Sequence, residues 1–147
     1  MSARKIQVFL YGAAISLKVL EAAGLPKRAF APASITGFDL IIQPVANLVE
    51  AGDGIVYGIL ANFTHAELTI LKEYHLSQVT NIDYNVEPVF VTTRGGKIVP
   101  AITHISTNLT PASAENDYID SILKAASTYG FPKWYMDRIE KFRTVTK

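Results

Sequence analysis

The sequence predicts an α+β fold, a small mixed β-barrel with helices at its edges. Three observations predict it. Apolar runs of strand length, separated by glycine and proline turn signals, recur up to residue 105. Beyond that point the apolar residues fall at helical spacing instead. And 147 residues, 49% of them hydrophobic, suffice for one domain over 1–147 with a sizeable core.

Ile6–Tyr11 is the first strand, a continuous apolar run of the buried kind. It belongs to the segment VFLYGAAI, residues 8–15, in which Tyr11-Gly12 ends the run and Ala13, Ala14 and Ile15 follow. Glycine permits φ > 0 and close approach, so this strand end offers backbone N–H groups and room for a ligand. Ser16–Ala23 carries Leu17, Leu20 and Ala23 at helical spacing, with Gly24 as a C-cap ahead of Pro26. Residues 24–34, with Pro26 and Pro32, read as a loop, and Ile35–Gln43 as the second strand. Pro44–Asp53 reads as a connection, because Gly52-Asp53-Gly54 is a strong turn signal.

Ile55–Ala61 is the third strand. Thr64 and Glu67 then form an S/T-x-x-E capping box, and Leu68, Leu71 and Leu76 give the helix its apolar side. Val86–Thr93 is the fourth strand, where Pro88 marks an edge or a bulge. Arg94–Lys97 is a hairpin turn and Ile98–Ile105 the returning strand. After the polar stretch 108–116, Asp117 caps a helix whose buried stripe is Ile119, Ile122, Leu123 and Ala126. Tyr129-Gly130-Phe131-Pro132 ends it, and a last helix, Pro132–Phe142, packs through Trp134 and Tyr135.

Composition narrows the function classes. With 14 basic and 13 acidic residues the net charge is +1, which gives no electrostatic reason to expect nucleic acid or an anionic membrane as partner. There is no cysteine, so disulfides and thiolate chemistry are excluded. No apolar stretch approaches the roughly 18 residues of a membrane span. The start has the outline of a short signal peptide, but Gln7, Tyr11 and Gly12 interrupt it and Val8–Leu10 is too short a core; it reads as a strand, and the protein as cytoplasmic. His65, His75 and His104 do not have a metal-ligand spacing such as H-E-x-x-H, so no metal is expected. Ser16, Ser77 and Ser106 lack a nucleophile-elbow context, and Arg94–Lys97 is far from a phosphate-binding loop.

Three segments in order resemble the gamma-glutamylcyclotransferase-like family. The first is the strand and loop ending in Tyr11-Gly12-Ala13-Ala14, where the family has a Tyr-Gly-Ser-Asn type of loop. The second is VYGILANFTHAELTIL, residues 56–71. The third is a closing helix in which Tyr118, Ile119, Ile122, Ala125, Ala126, Gly130, Phe131, Pro132 and Tyr135 match without a gap. The resemblance covers nearly the whole chain and implies the gamma-glutamylcyclotransferase-like barrel. It also implies a cofactor-free reaction on a small molecule. In that reaction the substrate's own α-amine attacks its γ-carbonyl, giving 5-oxoproline and a free amine, while one group takes up and returns a proton.

The site that the resemblance implies departs from the family at both ends. Aligning Leu71 with the family's L-D-x-x-E-G pattern puts the catalytic glutamate position on His75, and the loop's serine and asparagine are Ala13 and Ala14. An imidazole can shuttle a proton near neutral pH, but it does not attract a substrate ammonium as a carboxylate does. A histidine therefore favours a changed substrate, one without that ammonium or bearing a carboxylate. The C-terminal domain of allophanate hydrolases resembles this fold and acts on a small carboxylated, urea-derived intermediate. His75 also has a plain structural reading, as a half-exposed histidine at a helix C-terminus. Glu73 is the other acid/base candidate, and two positions on a helix differ by about 200°, so the two residues are alternatives and not a pair. Tyr84 and Tyr118 are candidates to face the substrate or to pack the core, and Tyr11 with Gly12, Ala13, Ala14 and Ile15 forms the cradle. Two function classes follow: an enzyme acting on a small polar amide or carboxylate, and a small-ligand-binding member of the fold without catalysis. No oligomeric state follows from the sequence.

Overall fold

Strand β1 (Lys5–Leu10) lies antiparallel to the C-terminal end of the longest described strand, β3 (Ala46–Thr64), from Lys5 opposite Thr64 to Leu10 opposite Ile59. The computed structural model describes residues 5–26, 28–42, 45–78, 84–106 and 115–143, without the side chains of Ala13, Ala14, Leu17, Val19 and residues 74–78. Strand β2 (Phe30–Ile42) forms a long hairpin with β3. Strands β4 (Tyr84–Thr93) and β5 (Ile98–Ser106) form a second hairpin. Closure comes from two short contacts: β2 meets β4 at Ala33–Thr93 and Ser34–Thr92, and β1 meets β5 in parallel at Val8–Ile102. The closed order is β1-β3-β2-β4-β5. Short helix α1 (Leu17–Ala22), α2 (His65–Gln78), α3 (Asn116–Tyr129) and α4 (Lys133–Glu140) complete the α+β barrel. Val8, Phe9, Ile35, Val56, Ile59, Phe63 and Val91 from the strands and Ile119, Ile122 and Ile139 from the helices are fully buried. No helix among the described residues is long and apolar enough to cross a membrane.

Three expectations are corrected. The 24–34 loop ends early, because β2 begins at Phe30 and includes Pro32 opposite Ile59. That proline is tolerated because β4 reaches β2 only from Ala33, so Pro32 is paired on one side alone. Gly52-Asp53-Gly54 is not a turn: it lies inside β3, and the chain reverses between the paired residues Ile42 and Ala46 instead. The glycine serves a close approach, since a Cβ on Gly54 would stand 2.3 Å from the Phe38 carbonyl oxygen, beside a bulge in β2 where Gly37 has φ +88°. Asp117 is not the cap of α3; Glu115 occupies that position with extended backbone, and Asp117 sits in the first turn.

The capping box at Thr64 forms as expected. The Thr64 amide donates to Glu67 Oε1 at 2.9 Å, and the Glu67 amide donates to Thr64 Oγ1 at 3.1 Å. Arg28 adds to it by pairing with the Glu67 carboxylate and donating to the Asn62 carbonyl at 2.7 Å, its guanidinium 4.2 Å from the Phe63 ring centre. Hydrogen bonding from Arg28 holds the Glu67 carboxyl down at about 2. A lowered carboxyl pKa stabilises the fold above the unfolded value and loses that stabilisation as pH falls through the folded one. Glu67→Gln keeps the capping box but removes the charge. Between pH 5 and 2, wild type is therefore expected to lose about 1 kcal/mol more stability than Glu67→Gln, a figure reduced for solvent screening, and denaturant melts at stepped pH check it.

Candidate functional site

Tyr11 leaves β1, and Gly12 turns the chain with φ +64° into a single 3-10 turn, Gly12–Ile15. Ile15 anchors the turn: its side chain is buried and its carbonyl accepts the Tyr129 hydroxyl at 2.6 Å. Tyr11 donates its hydroxyl to the His104 carbonyl at 2.5 Å and stacks on Phe9. Burial pushes the Tyr11 phenol well above its ordinary range, and the nearby Tyr84 and Tyr118 push the same way. Three tyrosines thus gather at this end of the barrel. Tyr118, from the first turn of α3, accepts the Ala46 amide at 2.8 Å. Tyr84 opens β4 opposite Ser106, and burial raises its pKa too.

The tip of the β2–β3 hairpin folds over the turn. A Cβ on Gly12 would meet the Ala46 Cβ at 2.3 Å and the Tyr118 hydroxyl at 3.4 Å, so only glycine fits there. Asn47, buried, holds the tip to the end of β5: its Nδ2 donates to the Ser106 carbonyl at 3.0 Å and its Oδ1 accepts the Ser106 amide at 2.9 Å. Thr103, also buried, donates its hydroxyl to the Phe9 carbonyl at 2.9 Å and ties β5 to β1. The Tyr11–Ile15 turn is therefore held by three elements distant in sequence, β3, β5 and α3.

The structure brings Tyr11, Gly12, Tyr84 and Tyr118 together. Ala13 and Ala14 lie on the turn, with side chains outside the described residues. Glu73 is exposed on α2. His75 lies on the same helix three positions after Lys72, and its side chain is likewise outside the described residues.

Sequence reasoning missed His104, Asn47 and Ala46. His104 lies opposite Val86 on β5, two positions from the partner of Tyr84 and so on the same sheet face. Burial lowers its pKa, and the Lys72 charge lowers it further, so its imidazole is neutral at pH 7. Only strand register joins these residues, and no local motif could have revealed it. Among the described residues no group of three His, Asp or Glu could hold a metal ion. A separate shallow recess lies among Asp39, Ile55, Tyr135, Arg138 and Phe142, too tight to hold a water molecule.

No protein-family model and no curated protein sequence matches the chain. Solved structures do. The chain is similar to a structure described as a gamma-glutamyl cyclotransferase, with 21% identity, TM-score 0.78, and 93% of this chain and 87% of that one covered. It is similar to an uncharacterized human protein at 20% identity and TM-score 0.78, over 92% of this chain and 86% of that one. A yeast gamma-glutamyl cyclotransferase specific to glutathione matches at 13% identity and TM-score 0.63, covering 97% of this chain and 98% of its own. At these identities the likeness establishes architecture: the chain has the gamma-glutamyl cyclotransferase fold.

Proposed function

We propose that this chain is a divergent, cytoplasmic member of the gamma-glutamylcyclotransferase-like family that acts on a small polar amide or carboxylate by acid/base chemistry without a cofactor. The observation that carries this reading is the meeting of the Gly12 turn, Tyr11, Tyr84 and Tyr118 at one end of the barrel. The N–H groups that open the Gly12–Ile15 turn are suited to a substrate carboxylate or a developing oxyanion. The phenols are suited to orienting a polar substrate without adding charge.

The proton shuttle belongs to a neutral imidazole. His75 is the first candidate, since it stands where the family has its glutamate, and His104 is the second, since it is already neutral at pH 7. Glu73, exposed, ranks below both. On a substrate without an attacking amine, water is the nucleophile: a C–O bond forms at the carbonyl carbon and the C–N bond breaks, with the imidazole taking a proton from the water and returning it to the leaving amine. With an imidazole where the family has a carboxylate, the site suits a carboxylated amide or urea better than an amine-bearing gamma-glutamyl compound.

The alternative is a binding module that keeps the fold and has lost catalysis, favoured by Ala13 and Ala14 in place of polar loop residues. Mass spectrometry of the purified protein with a panel of gamma-glutamyl amides, other small amides and carboxylated ureas separates the two. Consumption of at least one compound is expected, with His75→Ala or His104→Gln lowering the rate by about 10²–10⁴-fold. No turnover of any compound would leave the binding module.

A further inference from the structure

The β4–β5 hairpin has an outward face that does not look like a solvent face. An antiparallel hairpin with one buried side ordinarily alternates apolar inward and polar outward. Here Val89, Val91, Ala101 and Thr103 are buried in the barrel, as that rule requires. Yet the opposite face presents the cross-strand pairs Tyr84–Ser106, Val86–His104, Pro88–Ile102, Phe90–Pro100 and Thr92–Ile98. Neither strand contributes an Asp, Glu, Lys or Arg to this face, since Glu87 falls on the other side, opposite Thr103. Val86 is 56% exposed and Phe90 75%, with Pro88 exposed between them.

The face begins at the candidate site. Tyr84 and His104 belong to its first two pairs, and residues directly opposite on one face have Cβ atoms about 5 Å apart, so Val86 flanks His104. Half-buried Ile102 and exposed Pro88 form the next pair, and Phe90 lies about 13 Å along the strand from Val86. Direction matters as well. Strand β1 runs parallel to β5 with Val8 beside Ile102, and Tyr11 reaches the His104 carbonyl, so the Gly12 turn lies beyond His104 toward the Ser106 end. The Pro88–Ile102 and Phe90–Pro100 pairs lie on the other side of His104. A ligand with its carboxylate at the turn and its carbonyl at His104 has one end left over, the substituent on the amide nitrogen, and that end points along this face. We propose, on the reading of the site given above, that the Val86–Ile102 face is a leaving-group subsite, and that the substrate is a carboxylated amide or urea whose nitrogen carries an uncharged apolar substituent. Val86 and Ile102 are then specificity-determining residues. Hydrolysis of such an amide gives the acid and the apolar amine, water supplying a hydroxyl to the carbonyl carbon and a proton to the nitrogen.

Backbone amide NMR titrations with the N-methyl, N-butyl and N-octyl monoamides of succinic acid test this without requiring turnover. A fully enclosed methylene is worth about fourfold in affinity, and a face open on one side gives roughly half that free energy, or about twofold per methylene. The butyl amide is therefore expected to bind roughly eightfold tighter than the methyl amide, and the octyl amide tighter still. All three should shift Gly12–Ile15, and only the longer two should also shift Val86 and Ile102. Val86→Ser, at an exposed position that leaves the melting midpoint unchanged, should flatten the dependence on tail length. Trp134→Ser, at an exposed aromatic elsewhere, should keep it. Shifts at the Gly12 turn with an affinity that ignores tail length would overturn the subsite and leave the reading of the site standing. Absence of shifts at the turn with every amide would overturn both. A tail-length gain that survives Val86→Ser, or shifts on β4–β5 without shifts at the turn, would reveal unspecific apolar binding and overturn the subsite.

Discussion

Gly12→Ala is expected to lower the unfolding free energy by about 3 kcal/mol, in the tail of single-substitution effects. Two costs add. The backbone at φ +64° is left-handed, which an alanine adopts at about 1 kcal/mol or more. The new Cβ would then stand 2.3 Å from the Ala46 Cβ, far inside contact distance, so the hairpin tip must move. Its movement loosens the bond from the Ala46 amide to Tyr118. Gly96→Ala separates the two costs. Gly96 also has a left-handed backbone, φ +88°, but nothing lies within 4 Å of an added Cβ, so only about 1 kcal/mol is expected there. Urea denaturation of both variants measures the difference. Equal losses would mean that the tip does not press on the Gly12 turn.

Asn47→Leu is expected to cost a similar amount, about 3 kcal/mol. Its amide answers both backbone groups of Ser106 in a buried setting, at 3.0 and 2.9 Å. Leucine fills the volume but makes neither bond, and each polar group that loses a partner away from water costs about 1–3 kcal/mol. The loss should be local as well as global. Hydrogen exchange is expected to accelerate first at Ala46, Asn47 and Ser106, while the centre of β1 and β3 keeps its protection. Uniform acceleration along all five strands would show that Asn47 stabilises the barrel as a whole and not the closure over the candidate site.

What the sequence discloses and what it conceals divides along the range of the interaction. The Thr64–Glu67 box and the left-handed Gly130 that ends α3 are local, and both could be read directly. The strands were legible where apolar runs are continuous, as in Val8–Leu10. Gly54 was misread because a missing side chain serves a turn and a close approach equally well; the cause, the Phe38 carbonyl, is sixteen residues away in the chain. Glu115 outranked Asp117 as the cap of α3 through its backbone alone, with no side-chain bond to announce it. At the candidate site, the Tyr11-Gly12 strand end could be read from the residues, while Tyr84 and Tyr118 came from the resemblance. His104 and Asn47 depend on pairing register and on the bend of a hairpin, which no residue pattern encodes.

The central claim is that a small polar ligand binds at the Gly12 end of the barrel, whether or not it is then transformed. Backbone amide NMR of the isotopically labelled protein, titrated with small carboxylates such as 5-oxoproline and carboxylated ureas, tests it most directly. Saturable shifts are expected at Gly12–Ile15, Ala46, Tyr84 and His104, and Tyr118→Phe is expected to weaken them. Shifts confined to the Asp39–Arg138 recess, or no saturable shift with any of these ligands, would contradict it.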